Sequence, residues 1–357
     1  MKSVYIHIPF CSSICSYCDF CKIFYIDKWV MPYLDALKKE IKERYNNEPI
    51  RTLYIGGGTP SVLSINELIY LFDIIKILDL SKLEEFTFEC NIDSISFEKL
   101  ILLKKNGVNR ISLGIQSFDK EILNTLGIER TNNKVFEIIE IIRNIGFNNI
   151  NMDLIYGVKD ETLEILEKDL DIFLSLNPEH ISCYSLMIEP HTKLYIDKIK
   201  PIDEDLDYEM YKMIEDRLKS NDYIHYEISN YSKKGFESKH NLVYWNNDEY
   251  YGFGLGASSF IGNNRIDNNK NLTEYLNNNY KYNSIDISKE NIKYALMLGF
   301  RKIKGINIEE FNEKYNSNIL SLLDKLIKEG KIDNKEGYVF INEEWVYKMN
   351  EILMEII

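Results

Sequence analysis

Six short segments rich in β-branched and aromatic residues recur along residues 1–190. They read SVYIHIPF (3–10), TLYIGGG (52–58), EFTFECN (85–91), RISLGIQSF (110–118), INMDLIYG (150–157) and HISCYSLMIEP (180–190). Most of these segments are nearly continuously apolar, which is typical of strands buried on both faces. The pattern therefore predicts six central β-strands.

Apolar residues recur at helical spacing in the stretches between these strands. The predicted helices include YLDALKKEIKERY (33–45), NELIYLFDIIKIL (66–78), FEKLILLKKNG (97–107), NKVFEIIEIIRNIG (133–146) and LEILEKDLDIFLSL (163–176). Strands that alternate with helices in this way predict an α/β fold with a parallel sheet. Six strands are fewer than the eight of a closed barrel, so we expect an incomplete, open six-stranded β/α barrel.

The pattern changes after residue 200. One more helix is predicted at LDYEMYKMIEDRLKSN, and the segment 264–285, rich in Asn, Lys and Tyr, resembles a surface connection. Beyond residue 288 the pattern indicates two or three helices, a hairpin at KIDNKEGYVFIN (331–342) and a last helix. We therefore expect two domains: residues 1–285, with an extension from about 205, and a small winged-helix-like domain at 286–357.

Composition and charge narrow the classes of function. Hydrophobic residues make up 45% of 357 residues, enough for a sizeable core, and the net charge is −13. This acidic balance argues against a general nucleic-acid binder and against adsorption to an anionic membrane. No apolar run approaches the ~20 residues of a membrane span, and no signal-peptide pattern is present. We expect a cytoplasmic protein with reduced thiols.

Four of the six cysteines lie in FCSSICSYCDFC (10–21). Cys11, Cys15 and Cys18 have the spacing C-x3-C-x2-C, and thiolates on so tight a loop suit an iron–sulfur cluster. A disulfide framework is one alternative, although a local cluster in a large cytosolic chain more often binds metal. Structural zinc is another, but it commonly takes two separated ligand pairs, and only Cys21 could be a local fourth ligand. Three ligands on four irons would leave one iron open.

Other chemically useful residues follow the remaining strands. The segment 56–59 comes after the second strand, Glu89 ends the third, and Gln116 and Asp153 end later strands. Reactive groups gather at the carboxyl ends of the strands in β/α barrels, so we expect these residues and the cysteines to form one site. The alternative is a plain glycine turn and ordinary hydrogen-bonded polar residues.

The cysteine spacing, with Tyr17 before the third cysteine, resembles the signature of the radical S-adenosylmethionine (SAM) superfamily. This resemblance implies that Cys11, Cys15 and Cys18 bind a 4Fe–4S cluster whose open iron chelates the amino and carboxylate groups of SAM. One electron then cleaves SAM to methionine and a 5′-deoxyadenosyl radical. The motif GGGTP (56–60) is similar to the loop that meets the amino-acid end of SAM, which implies contacts from Gly57, Gly58 and Thr59.

Four motifs narrow the resemblance: YIHIPFC (5–11), GGGTPS, LGIQSF (113–118) and DLIYG (153–157). Together they resemble oxygen-independent coproporphyrinogen III oxidases and the related heme chaperones, over essentially the whole chain. By motif position, the resemblance implies that SAM is lined by Tyr5, Tyr17, Glu89, Gln116 and Asp153. It further implies that GFGLGASSF (252–260) closes the pocket through Ala257.

One motif departs from the family. The family commonly has GRxH where this chain has GIER (127–130), so Ile128 stands at the position of the expected arginine. We predict that Arg130 contributes to the SAM site in its place.

Three features favour the chaperone reading over the oxidase reading. The oxidase has a further cysteine at the position of Phe20, and it has an extension before the cluster, whereas Cys11 is near the start here. In addition, HNLVYW (240–245) matches the HNxxYW motif of the chaperones. Neutral His240 could ligate heme iron, with Tyr244 and Trp245 as flat apolar surfaces. The alternative is a histidine held by hydrogen bonds under a loop.

The resemblance thus implies three cofactors or ligands: the 4Fe–4S cluster, SAM and heme. It implies heme-acceptor proteins as partners, and an electron donor such as a flavodoxin or ferredoxin. The alternative function is oxidative decarboxylation of coproporphyrinogen III. Under either reading, the predicted cluster does not need Cys21.

Overall fold

The computed structural model describes residues 1–356. The strands are β1 (Lys2–Ile8), β2 (Phe10–Cys11), β3 (Ile23–Phe24), β4 (Ile50–Gly57), β5 (Glu85–Cys90), β6 (Arg110–Gln116), β7 (Ile150–Tyr156), β8 (His180–Ser185), β9 (Ile224–Glu227), β10 (Asn230–Ser232), β11 (Tyr250–Phe253), β12 (Ser258–Ile261), β13 (Asn264–Asn268), β14 (Lys281–Asp286), β15 (Ile306–Asn307), β16 (Ile332–Lys335) and β17 (Tyr338–Ile341).

The α-helices are α1 (Asp27–Arg44), α2 (Ile65–Ile75), α3 (Phe97–Lys105), α4 (Lys120–Leu126), α5 (Asn132–Asn144), α6 (Leu163–Leu176), α7 (Lys193–Ile196), α8 (Glu204–Lys219), α9 (Lys239–Trp245), α10 (Leu272–Leu276), α11 (Asn291–Gly299), α12 (Ile308–Tyr315), α13 (Ile319–Leu322), α14 (Asp324–Lys328) and α15 (Met349–Ile356).

The six predicted central strands form the parallel middle of one large sheet. Its twelve strands have the order β14-β13-β12-β11-β1-β4-β5-β6-β7-β8-β10-β9, and the two edge strands do not pair with each other. The sheet is therefore open, and the prediction of an incomplete parallel β/α barrel is confirmed. Parallel pairing brings the carboxyl ends of β1 and β4–β8 to one edge.

The two faces of these six strands differ in chemistry, because successive side chains point to opposite faces. Apolar residues such as Val4, Leu53 and Phe86 are buried in the main core with residues of α1 and α2. The opposite face, called the inner face below, carries mostly polar residues: Ser3, Tyr5, His7, Thr52, Tyr54, Glu85, Thr87, Glu89, Arg110, Ser112, Asn151, Asp153, His180, Ser182 and Tyr184. The strands are therefore mostly buried on both faces, as predicted, but only one of the two faces is apolar.

The segment after residue 200 extends the sheet at both edges. β11 adds in parallel beside β1, and β12, β13 and β14 continue antiparallel, while β10 and β9 extend the other edge beyond β8. The prediction of a surface connection over 264–285 is wrong, since this segment contains β13, α10 and β14. β14 is an edge strand with both faces largely outside the core, so it lacks apolar alternation.

A second hydrophobic core lies between Ala295 and Leu353. It packs helices against a three-stranded antiparallel sheet of order β15-β17-β16. The predicted hairpin over 331–342 is confirmed as β16 and β17. The domain boundary at residue 285 stays a prediction. Within residues 1–356, no helix combines the length and apolarity needed to cross a membrane.

Candidate functional site

The GGGTP loop lies directly against the start of the cysteine loop. Gly58 N–H donates to the Ile8 carbonyl at 2.8 Å, and Thr59 N–H donates to the Phe10 carbonyl at 2.8 Å. A Cβ on Gly58 would lie 2.8 Å from the Pro9 carbonyl oxygen, so only glycine allows this approach. Thr59 Oγ1 then donates to Cys11 Sγ at 3.6 Å.

The cysteine loop is anchored at both ends and in its middle. Cys11 is buried in β2, and its carbonyl accepts from Tyr25 N–H at 2.8 Å. Ser16 N–H donates to the Leu126 carbonyl at 2.8 Å, which ties the loop to the end of α4. Cys15 and Cys18 are half-buried on either side of this anchor. All six cysteines are free thiols, so the disulfide alternative is not realised.

The three thiols suit a multi-iron cluster. Burial, together with the neighbouring Cys18 and Cys11 sulfurs, raises the pKa of Cys15 to about 11. Three thiolates this close repel one another unless bound cations compensate their charge. Among residues 1–356, no group of three or more His, Cys, Asp or Glu side chains could hold one metal ion. In a cluster each cysteine binds a different iron, so the sulfurs need not converge on one point.

Cys21 has a different environment. It packs on Gly256, where a Cβ would lie 2.8 Å from its sulfur, and its carbonyl is hydrogen-bonded to His7 Nε2 at 2.6 Å. Gly256 belongs to the turn before β12, and Ala257 is buried in the same turn. The structure thus brings Ala257 next to the cysteine loop, and its contact with SAM stays a prediction.

Glu89 lies at the carboxyl end of β5, facing the GGGTP loop. Tyr54 OH donates to its Oε1 at 2.6 Å, and Gly57 N–H donates to its Oε2 at 3.0 Å. Burial raises the pKa of Glu89 to about 7, and the carboxylate of Asp153 acts in the same direction. A carboxyl with a pKa near neutral can accept hydrogen bonds from an amino or hydroxyl group of a ligand when it is ionised.

Gln116 and Asp153 share this edge of the sheet with Glu89. Gln116 has a φ of +66°, and its buried Oε1 has no hydrogen-bond partner within residues 1–356. Asp153 Oδ1 accepts from Asn151 Nδ2 at 2.8 Å, and burial raises the pKa of Asp153. A strained residue with an unused buried acceptor is typical of a ligand-binding position.

Arg130 supports the turn that contains Gln116. Its guanidinium donates to the carbonyls of Gly114 at 3.2 Å and Ser117 at 2.8 Å, and also to Ile115. Burial lowers the pKa of Arg130 to about 10. These contacts make Arg130 a positioning residue for the end of β6, and its direct contact with SAM stays a prediction.

The two predicted tyrosines border the same site. Tyr5 OH is hydrogen-bonded to His7 Nδ1 at 2.9 Å, so Tyr5 is linked through His7 to the carbonyl of Cys21. Tyr17 packs against a small apolar cluster that includes Leu126 and Ile155, and it lies beside the Cys15 thiol. The structure therefore brings all the predicted cluster and SAM residues to one edge of the sheet.

His240 does not lie at this edge. Its side chain is buried against the inner face of the sheet, and the residue is 1% exposed. Nδ1 is hydrogen-bonded to Thr52 Oγ1 at 2.7 Å and Nε2 to Tyr244 OH at 2.8 Å. Burial lowers the pKa of His240 to about 3. In this conformation neither ring nitrogen is available to heme iron, and the geometry is that of the alternative, a histidine fixed by hydrogen bonds.

Sequence reasoning missed Arg110, which is 2% exposed on the inner face. Its Nε has no hydrogen-bond partner within residues 1–356, and its charge opposes the raised pKa values of Glu89 and Asp153. Arginine is rarely buried without a partner. The available signal was its position, since Arg110 falls in phase with Ser112 on the polar side of β6.

The comparisons with known proteins agree with this site. The radical SAM superfamily matches residues 5–172, which include the cysteine loop and the four strand ends described above. This match identifies the chain as a radical SAM protein.

The relatives narrow this class to one family. Heme chaperone HemW from Bacillus subtilis (strain 168) is 38% identical, over 99% of this chain and 98% of its own length. Heme chaperone HemW from Lactococcus lactis subsp. lactis (strain IL1403) is 40% identical, over 92% and 89%. The chain belongs to the HemW family of radical SAM proteins.

A solved structure shows the same fold. Coproporphyrinogen III oxidase HemN from Escherichia coli, a radical SAM enzyme, has a TM-score of 0.86 with this chain at 23% identity. The match covers 99% of this chain and 89% of the other. At this identity the likeness concerns the fold alone.

Proposed function

We propose that Cys11, Cys15 and Cys18 hold a 4Fe–4S cluster and that SAM binds at its open iron. The observation that carries this proposal is the convergence of three free cysteines, the GGGTP loop and Glu89 at one edge of the sheet. The cluster would supply one-electron reduction of SAM, with the electron from a flavodoxin- or ferredoxin-like donor. The protein's part is to bind, orient and shield this chemistry.

Each surrounding residue has a role in this proposal. Because Gly57 and Gly58 lack side chains, the GGGTP loop packs closely against His7 and the Pro9 carbonyl, and this loop would meet the amino-acid end of SAM beside the cluster. Glu89, oriented by Tyr54, accepts hydrogen bonds from N–H or O–H groups of SAM. Gln116 offers its unpaired Oε1 to the same ligand.

We expect SAM affinity to depend on pH through Glu89. Because burial raises the pKa of Glu89 to about 7, the carboxyl is mostly protonated at pH 6 and mostly ionised at pH 8. The ionised form accepts more hydrogen bonds and favours the sulfonium charge, so affinity should rise up to about tenfold between these pH values. Calorimetric titration with SAM measures this, and Glu89→Gln should remove the added pH dependence.

The raised pKa of Glu89 has the opposite effect on the stability of the fold. The raised pKa means that the folded state favours protonated Glu89, so this group's contribution to stability falls as the pH rises from about 4.5 to about 7. If SAM affinity depends on pH in the same way in Glu89→Gln and in the wild type, the assigned role of Glu89 in SAM binding is contradicted.

We also propose that the protein binds heme and delivers it to acceptor proteins in the cytoplasm. Relatives named heme chaperone, aligned along nearly the whole chain, support this proposal. The alternative, decarboxylation of coproporphyrinogen III, is supported by the likeness to HemN, which concerns the fold alone. The proposal does not require His240 as an iron ligand.

The heme proposal is tested by titrating the anaerobically reconstituted protein with heme and following the Soret absorption. We expect saturable uptake of about one heme per chain, because a chaperone must hold its cargo stoichiometrically. Uptake that never saturates, as in non-specific adsorption, would contradict the proposal.

A further inference from the structure

The five histidines differ sharply in the availability of their ring nitrogens. His7, His180 and His240 each have both ring nitrogens hydrogen-bonded. His225 is buried, hydrogen-bonded to the Ile228 carbonyl and stacked on a tyrosine ring. An axial ligand of heme iron must present a free, accessible imidazole nitrogen.

His191 is the exception. It is exposed in the loop after β8, and within residues 1–356 its ring has no hydrogen bond, ion pair or ring contact. Its φ is +72°, an uncommon backbone conformation outside glycine. Thr192 fixes the loop, since its Oγ1 donates to the Glu189 carbonyl at 2.7 Å and accepts from Tyr195 N–H at 3.2 Å.

Large apolar side chains are exposed in the same chain segment as His191. Met187 is 70% exposed, Tyr195 54% and Ile196 67%, all within five residues of His191 in sequence. Exposed apolar groups concentrated in one segment commonly mark a binding surface. Aromatic and thioether side chains suit the flat apolar face of a porphyrin, and a methionine sulfur is itself an axial ligand in some heme proteins.

The charge of this segment also suits heme. The whole chain has a net charge of −13, yet Lys198 and Lys200 have no ion-pair partner within residues 1–356. The two lysines line one surface pocket, which Asp160, Glu161 and Asp203 also line. Ammonium groups without an ion-pair partner can pair with the two propionates of heme.

We propose that heme binds on the segment 187–200, with His191 as the axial ligand of its iron. This inference rests on the proposed heme-binding function and assigns that function to a surface. The segment also contacts the cysteine loop, since Leu194 N–H donates to the Ser16 carbonyl at 3.0 Å. Heme held here would therefore lie beside the loop that carries the cluster.

The test compares His191→Gly with the wild-type full-length protein, reconstituted anaerobically. Glycine tolerates the positive φ and removes only the imidazole. We expect the dissociation constant for heme to rise at least about tenfold, the Soret maximum to shift, and added free imidazole to restore the wild-type spectrum. Iron and sulfide content should be unchanged.

Asn278→Gly is the matched control, because Asn278 is also exposed and has a φ of +65°. It should leave heme binding unchanged. If His191→Gly binds heme with the wild-type affinity and spectrum, the inference is overturned while the proposed function stands. If the wild type itself takes up no heme, the proposed function fails and the inference fails with it.

Discussion

Cys15→Ala is expected to abolish the iron–sulfur cluster, whereas Cys21→Ala is expected to keep it. Cys15 lies between two other thiols that are close enough to raise its pKa, and its loop is pinned by Ser16. Two remaining thiolates cannot hold a four-iron cluster stably, so iron and sulfide should fall from about four of each per chain to well under one. Anaerobic iron and sulfide analysis after reconstitution measures this.

Cys21→Ala is the matched control on the same loop. Its sulfur faces Gly256, and its loss removes a packing contact rather than a ligand. A full complement of iron in Cys15→Ala, or none in Cys21→Ala, would refute the assignment of Cys11, Cys15 and Cys18 as the ligand set.

Gly57→Ala is expected to weaken SAM binding and to destabilise the fold. The φ of Gly57 is +121°, and a Cβ there would lie 2.7 Å from the ring of His7, which is itself buried and hydrogen-bonded. Backbone strain and overpacking together should cost about 3 kcal/mol of folding free energy. Because Gly57 N–H also holds Glu89, we expect SAM affinity to fall by about tenfold or more.

Gly146→Ala is the matched control, because it separates backbone strain from overpacking. Gly146 also has a positive φ, +94°, but a Cβ there would meet nothing within 4 Å. Its cost should be limited to backbone strain of about 1–2 kcal/mol, with SAM affinity unchanged. Equal losses of SAM affinity in the two variants would show that the GGGTP loop has no special role.

The cysteine loop and the strand ends could be predicted from sequence because their signals are local. C-x3-C-x2-C is contained in eight residues, and Gly57, Glu89 and Asp153 each end a strand whose parallel neighbours place it at the same edge. The order of the strands along the chain was therefore enough to predict that these residues lie at one edge of the sheet.

The polar inner face was not predicted, because tyrosine counts as apolar in a hydrophobicity pattern. Tyr5 and Tyr54 conceal the alternation of SVYIHI and TLYIGG, although Ser3, His7 and Thr52 fall in phase with them. Glu89, Arg110 and the central tyrosines therefore share the inner face, which the hydrophobicity pattern of the sequence predicts to be apolar core.

The placement of His240 depends on long-range packing that no local pattern encodes. Its partner Thr52 is 188 residues away, and its backbone N–H donates to the buried Glu85 at 2.9 Å. The pairing of β11 beside β1, with Ser3 opposite Tyr250, joins residues even farther apart in sequence. The motif HNLVYW could therefore be recognised in the sequence, but the burial of His240 could not be predicted from it.

The central claim is that this chain handles heme rather than decarboxylating a porphyrinogen. The most direct measurement incubates the reconstituted, heme-loaded protein anaerobically with coproporphyrinogen III, SAM and a reductant, and quantifies porphyrin products and bound heme. We expect unchanged coproporphyrinogen and about one heme still bound per chain. SAM-dependent decarboxylation over many turnovers, by a protein that retains no heme, would contradict it.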